Sequence, residues 1–187
     1  MVEAVEVHTV GLGGDSRVWV NDHGDLTLGP ERVLPLCTLA HKWPSVLPEL
    51  EEQSRADRTM RPNDGEFLTL QRAYRGPEQE LPAPIRKLLD LLAQQPLSVD
   101  AAKDALEQPL LYAGALRSLE REGVLLCSGL TPTDAAHCLG LFADWDARAA
   151  EMGASIMARR LGTDPETLAQ RVHGLTSQRV AREIILA

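Results

Sequence analysis

Two short segments of the sequence combine residue types that could bind or transform a small molecule. The first, residues 11–16, is Gly-Leu-Gly-Gly-Asp-Ser and follows an alternating apolar pattern typical of a strand. Such glycines can turn backbone N–H groups inward around an anion, while the serine adds a hydroxyl donor and the aspartate could reach a metal or a ribose. An ordinary tight turn also fits, since no Walker A Lys-Ser/Thr follows. The candidate binding residues are Gly11, Gly13, Gly14, Asp15 and Ser16.

The second segment, residues 131–140, is Thr-Pro-Thr-Asp-Ala-Ala-His-Cys-Leu-Gly and is typical of a helix that begins at a threonine cap. Asp134 and His137 are three positions apart, so a helix would place a carboxylate and an imidazole on one face. The pair could therefore share a divalent metal, although two ligands do not complete a site. The alternative is structural: Asp134 supports the N-terminus of the helix, and His137 is a partly buried neutral residue.

The helices and strands predicted along the rest of the sequence, which must position these two segments, together indicate an α+β fold. Residues 1–40 indicate a β-rich part with a hairpin between residues 18 and 28, and residues 41–80 indicate a linker with one short helix near residues 47–55. Residues 81–128 predict three short amphipathic helices followed by a strand, the outline of a winged-helix-like insert. Ile85, Leu88, Leu89 and Leu92 form the apolar stripe of the first helix, and Ser98 can cap the second. Residues 129–187 predict a C-terminal helical part that packs back on the strands.

Composition and charge argue against several classes of protein, among them nucleic-acid-binding, membrane and secreted proteins. The chain has 187 residues, with 19 Lys and Arg against 27 Asp and Glu and a net charge of −8, so nucleic acid and anionic membranes are not expected partners. The insert is nearly neutral, with five basic and six acidic residues over 81–130. No apolar run approaches a bilayer span and no signal peptide is recognisable, which predicts a cytoplasmic protein. The three cysteines form no Cys-x-x-Cys and are expected to be reduced thiols.

Three stretches resemble, in the same order, motifs from the C-terminal part of the ATPase subunit of the hydantoinase/oxoprolinase family. Residues 10–16 are similar to the Gly-x-Gly-Gly-x-Ser loop of that family, and residues 29–31 to the start of its Gly-Pro-Glu-Ser stretch. Residues 131–140 are similar to its Thr-x-Thr-Asp-Ala segment, which leads to Leu-Gly. Arg32 stands where the family has the serine. The resemblance covers about residues 1–40 and 129–187 and leaves the insert without a counterpart.

The resemblance implies part of an actin-like (ribonuclease H-like) ATPase lobe. In that family, ATP with Mg activates a cyclic amide such as a hydantoin or 5-oxoproline, so that water can open the ring. The resemblance assigns no catalytic residue. The residues that it places in or beside the nucleotide cleft are Gly11, Gly13, Gly14, Asp15 and Ser16, with Asp134 near it.

The family's N-terminal phosphate loops, Asp-x-Gly-Gly-Thr-x-Thr-Asp, do not occur in this sequence. Since such an ATPase needs two lobes around Mg-ATP, we expect a C-terminal fragment of the ATPase subunit that is not active alone. Its partners would be the rest of that ATPase chain, the companion subunit of the family and the small cyclic-amide substrate. The alternative, from another class, is a non-catalytic module in which the winged-helix-like segment binds a partner protein or, less readily, DNA.

Overall fold

A computed structural model describes residues 14–77 and 80–186, and the mixed α and β fold predicted from the sequence is confirmed in it. The strands are β1 (Ser16–Val20), β2 (Leu26–Arg32), β3 (Leu34–Pro35), β4 (Phe67–Leu70), β5 (Leu97–Ser98) and β6 (Leu125–Gly129). The helices are α1 (Leu36–Lys42), α2 (Leu47–Ser54), α3 (Ala83–Gln94), α4 (Val99–Leu106), α5 (Pro109–Arg121), α6 (Pro132–Cys138), α7 (Ala147–Leu161) and α8 (Pro165–Leu186), with a short 3-10 helix at Pro44–Val46.

The predicted hairpin is confirmed as the antiparallel pair β1 and β2. Its turn is held by the Asn21 side chain, whose oxygen accepts hydrogen bonds from the N–H groups of His23 and Asp25. Such local side-chain bonds are the reason that asparagine favours turns. The hairpin brings Ser16, at the start of β1, opposite Arg32, at the end of β2.

A second sheet, with strand order β3-β6-β4-β5, separates two apolar cores. Neighbouring residues of a strand point to opposite faces, so β4 contributes Phe67 to one core and Leu68 to the other. The first core lies between the sheets and helices α1, α2, α6, α7 and α8. The second core lies under α3, α4 and α5.

The three helices expected in the insert are confirmed as α3, α4 and α5. Ile85, Leu88 and Leu92 of the predicted α3 stripe are buried, and Ser98 caps α4 by accepting a hydrogen bond from the N–H of Ala101. The strand after the helices, β6, pairs with β4, which precedes them in the chain. The insert therefore begins and ends on adjacent antiparallel strands.

The structure differs from two of the sequence expectations. Residues 41–80 were predicted as a linker with one short helix near residues 47–55; that helix is confirmed as α2, but the segment also contains strand β4, and both Leu50 and Phe67 are fully buried. Residues 36–40 of the expected β-rich part form α1, where the apolar run that begins at Leu36 packs against α7. Both segments are too short for periodicity to distinguish a helix from a strand, and packing across the chain decides their structure.

The loop between α2 and β4 is tied to α7 by two guanidinium groups. Arg159 donates to the carbonyl oxygens of Arg55 and Arg58, and Arg160 donates to those of Arg61 and Asp64. These bonds satisfy backbone acceptors in a segment without regular structure. Within the ranges that the structure describes, no helix is both long enough and apolar enough to span a bilayer.

Candidate functional site

The end of the glycine-rich loop meets the beginning of α6. The carbonyl oxygen of Gly14 accepts a hydrogen bond from the N–H of Thr133 at 3.0 Å and another from its hydroxyl at 2.7 Å. These residues are 119 positions apart, so the contact joins two of the three sequence motifs in space. Gly11 and Gly13 lie outside the described residues, and the structural account of the loop begins at Gly14.

Asp15 and Arg32 form an ion pair beside this contact. Arg32 Nε donates to Asp15 Oδ2 at 2.8 Å, while the N–H of Val33 donates to the Asp15 carbonyl at 2.9 Å. The Arg32 side chain is 69% exposed. Asp15 Oδ1 is shielded from solvent and has no hydrogen-bond partner among the described residues. The site thus offers a solvent-facing cation and a carboxylate oxygen with unused acceptor capacity.

Neither Thr133 nor Arg32 is among the site residues that the sequence predicted. The position of Thr133 inside the Thr-x-Thr-Asp motif is a signal that could have identified it. Arg32 gives no such signal, because its pairing with Asp15 depends on the register of the β1-β2 hairpin. Ser16, the last of the predicted loop residues, is buried on β1 at the same end of that hairpin.

Asp134 is fully buried, and its carboxylate connects α6 to α1. Oδ1 accepts a hydrogen bond from the N–H of Cys37 at 2.8 Å, and Oδ2 accepts one from the N–H of Leu36 at 3.3 Å. Oδ2 also accepts bonds from the N–H and the hydroxyl of Thr131, at 2.9 and 2.8 Å. Four donors meet the roughly four acceptor positions of a carboxylate.

This arrangement confirms that Asp134 supports a helix N-terminus, because Thr131 and Asp134 form a reciprocal capping box. The same carboxylate also satisfies two N–H groups at the start of α1, which is an additional role that the sequence did not indicate. Burial raises the pKa of the Asp134 carboxyl, whereas the donors around it act in the opposite direction.

His137 uses both of its ring nitrogens within the fold. Nδ1 lies 2.9 Å from the carbonyl oxygen of Thr133, an acceptor, so it must bear the hydrogen. Nε2 then accepts a hydrogen bond from the N–H of Trp145 at 3.3 Å. The ring stacks with the exposed aromatic side chains of Phe142 and Trp145, with centroid separations of 6.2 and 5.7 Å.

The structure therefore places Asp134 and His137 in two separate hydrogen-bond sets. A metal ion held by this pair would have to displace a donor from Asp134 and the Trp145 N–H from His137. No group of three or more His, Cys, Asp or Glu side chains within residues 14–77 and 80–186 is arranged to hold a metal. The fold gives both residues a structural role, and the metal site suggested by their spacing stays a prediction.

The cysteines are free thiols, as expected. Burial raises the pKa of the Cys37 thiol well above its ordinary value, and it raises those of Cys127 and Cys138 to about 12. A thiol with such a pKa is protonated at neutral pH, and the thiolate is the nucleophilic form. The three cysteines are therefore poor candidates for covalent catalysis.

Comparison with known proteins adds no family or fold assignment. A scan against family models, a search of curated proteins and a search of solved structures each found no match.

The contact between Gly14 and Thr133 can be tested by adding one methyl group. A Cβ at position 14 would lie unacceptably close to Thr133 Oγ1, so Gly14→Ala must displace that hydroxyl. We expect the free energy of unfolding to fall by about 1–2 kcal/mol, from the lost hydrogen bond and local strain. Urea denaturation of the purified chain measures the change.

The control uses the second partner. In a Thr133→Ala background the obstructing hydroxyl is absent, so the additional cost of Gly14→Ala should fall by at least half. Equal costs in the two backgrounds would show that the substitution acts on something other than this contact.

Proposed function

We propose that this chain contributes one wall of the nucleotide site of an ATP-dependent cyclic-amide hydrolase of the hydantoinase/oxoprolinase type. The observation that supports the proposal is that residues of the three sequence motifs contact one another in the fold. Gly14 accepts two hydrogen bonds from Thr133, and Arg32, directly after the Gly-Pro-Glu stretch, pairs with Asp15. Sequence order alone does not require these segments to be neighbours, whereas a shared binding site does.

The residues at this place fit Mg-ATP in their chemistry. Asp15 Oδ1 lacks a hydrogen-bond partner among the described residues, and carboxylate oxygen is a ligand that Mg²⁺ prefers. The exposed guanidinium of Arg32, at the position where the family that the motifs resemble has a serine, suits a phosphate oxygen. Bound ATP would supply the phosphoryl group that activates the amide. In this proposal Asp15 holds the cation or the ribose, and Arg32 orients the phosphates.

Thr133 and Asp134 have a supporting role in the proposal. The Thr133 hydroxyl and N–H are both engaged with Gly14, so they hold the loop in place and are not available as donors to a phosphate. Asp134 fixes the start of α6 and, through Leu36 and Cys37, the start of α1. Both residues therefore act on the position of the loop.

The proposal makes this chain a segment of a larger catalytic unit, as the sequence resemblance implies. Further phosphate loops would come from the rest of the ATPase chain, and the companion subunit of the family would be an additional partner. The actin-like ATPase lobe is part of the same proposal. The substrate would be a small cyclic amide, such as a hydantoin or 5-oxoproline.

Titration of the ¹⁵N-labelled chain with Mg-ATP tests the proposal at the level of single residues. We expect weak binding, in the millimolar range, because one wall of a cleft buries little of the ligand. Amide shifts should concentrate at Gly14, Asp15 and Thr133. Asp15→Asn should reduce the affinity severalfold, whereas Asp22→Asn, an exposed carboxylate in the hairpin turn, should not.

Two results would contradict the proposal. Shifts confined to other parts of the chain would move the nucleotide site elsewhere, and submicromolar binding by this chain alone would contradict the need for a second lobe. The complementary measurement is ATP-dependent ring opening by the protein isolated from its source cells. Asp15→Asn should lower that activity at least tenfold.

A further inference from the structure

The outward face of α5 has an apolar end and a basic end. Leu110 and Leu111, at its start, are 91% and 72% exposed, the highest values among the large apolar side chains of the described residues. Gly114, Arg117 and Arg121 follow on the same side at helical spacing, and all three are exposed. Large exposed apolar side chains that lie together often mark a contact surface.

Gly114 lies in the middle of this face, and among the described residues no neighbour packs closely enough to require a glycine there. A Cβ built at position 114 meets no atom within 4 Å, so the fold leaves room for any small side chain. Glycine in the interior of a helix is less stable than alanine. Its advantage is that another backbone can approach closely, which favours a helix crossing at this position.

The basic end of α5 is not neutralised within the described residues. Arg117 and Arg121 make no ion pair there. The neighbouring acids are engaged in other directions: Glu120 accepts a hydrogen bond from the Cys127 thiol, and Glu122 accepts one from the Ser118 hydroxyl. Among the described residues, therefore, neither guanidinium has a carboxylate partner, and both could pair with carboxylates of a second molecule.

The other end of the same face is preceded by acidic side chains. Asp104 and Glu107, at the end of α4 and in the turn before α5, are exposed and make no ion pair within residues 14–77 and 80–186. Lys103 is the only basic residue of that turn. The surface around α5 is thus acidic just before the N-terminus of the helix and basic toward its C-terminus.

We propose that α5 docks antiparallel on α5 of a second copy of this chain, with the two helices crossing at Gly114. An antiparallel two-fold contact places the basic end of each helix opposite the acidic turn of the other copy, so every favourable pairing occurs twice. Leu110 and Leu111 of each copy then lie about one turn from the crossing point, beside Arg117 of the other copy, whose aliphatic stem can cover them. Antiparallel helix dipoles also attract one another.

Charge favours a second copy over nucleic acid as the occupant. Asp104 and Glu107 flank the face and would repel a phosphate backbone, and the whole chain has a net charge of −8. Glu107 and Arg121 are both seven positions from Gly114, so an antiparallel crossing at Gly114 brings these two opposite charges together. The surface is separate from the Gly14 and Asp15 site, so this proposal and the nucleotide proposal can fail independently.

A pair of charge-reversal variants tests the contact in analytical ultracentrifugation of the full chain. We expect the wild-type chain to form a concentration-dependent dimer. The dissociation constant of this dimer should rise at least tenfold in Arg117→Glu/Arg121→Glu and also in Asp104→Arg/Glu107→Arg. An equimolar mixture of the two variants should recover a dimer, because the heterodimer has opposite charges at both ends. This recovery also shows that both variants are folded. Leu141→Ser, an exposed substitution away from α5, is the control and should leave dimerisation unchanged.

Gly114→Ala provides an independent readout. The methyl group should raise the Tm of the monomer by about 2–4 °C through helix propensity, while it weakens the dimer at least tenfold. A chain that stays monomeric up to 0.5 mM overturns the proposal, as does a dimer that neither charge reversal affects. Binding of duplex DNA that is lost in Arg117→Glu/Arg121→Glu, with no dimer, would overturn it in favour of nucleic acid.

Discussion

Replacing Asp134 by Asn is expected to lower the free energy of unfolding by about 3–4 kcal/mol, although the two side chains have nearly the same shape. Every group around the Asp134 carboxylate is a donor, including the backbone N–H groups of Leu36, Cys37 and Thr131. The amide nitrogen of an asparagine would face at least one of these N–H groups, which then stays buried without a partner. The remaining bonds also lose the strength that a charged acceptor provides.

Chemical denaturation with far-UV circular dichroism measures this loss. Asp164→Asn is the matched control, because Asp164 also accepts a hydrogen bond from a backbone N–H near the start of a helix, that of Thr167, but is exposed. Since asparagine caps helices as well as aspartate does, the control should change stability by less than about 0.5 kcal/mol. Equal effects at the two positions would show that Asp134 does not connect α6 to α1 as described.

Phe67→Ala is expected to cost about 3–5 kcal/mol, a loss comparable to the Asp134 substitution but with a different origin. Phe67 is 1% exposed and lies on the strand that separates the two cores. Its truncation leaves a cavity in the first core, where helices cannot close in because the sheet fixes the opposite wall. We expect the urea unfolding transition of Phe67→Ala to be less cooperative than that of the unchanged chain and to have its midpoint at a lower urea concentration.

Leu141→Ala is the control for this second substitution, since the Leu141 side chain is 56% exposed. It removes apolar atoms that are already in water, so its effect should stay within about 0.5 kcal/mol. A small effect of Phe67→Ala would mean that the first core can rearrange around the missing ring.

The sequence predicted those parts of the fold that depend on residues close to one another in the chain. The stripe of α3, the serine cap of α4 and the asparagine turn of the hairpin all depend on residues within a few positions of each other. Helix α1 and strand β4 could not be predicted in this way. Each is short and apolar, and its structure depends on packing against distant segments.

The site shows the same division between local and distant contacts. The helix predicted after a threonine cap is confirmed as α6, which begins at the Thr131 cap and carries both Asp134 and His137. The bond from Cys37 to Asp134 joins residues 97 positions apart, and no periodic pattern predicts it. The metal interpretation considered only the two side chains and could not take into account the backbone donors that the fold brings to them.

The position of the insert in the second sheet has a consequence for how this architecture could change in evolution. The chain leaves β4 at Leu70 and enters β6 at Leu125, and these two residues are register partners. Directly beyond them, the N–H of Gln71 donates to the carbonyl of Val124 at 2.8 Å. A two-residue turn could join β4 directly to β6 without altering their register, and this would remove all three helices together with β5, the outer neighbour of β4. Such a shortened chain would expose Leu68 and leave β4 as an edge strand, so gain or loss of this module must be accompanied by polar replacements along that strand.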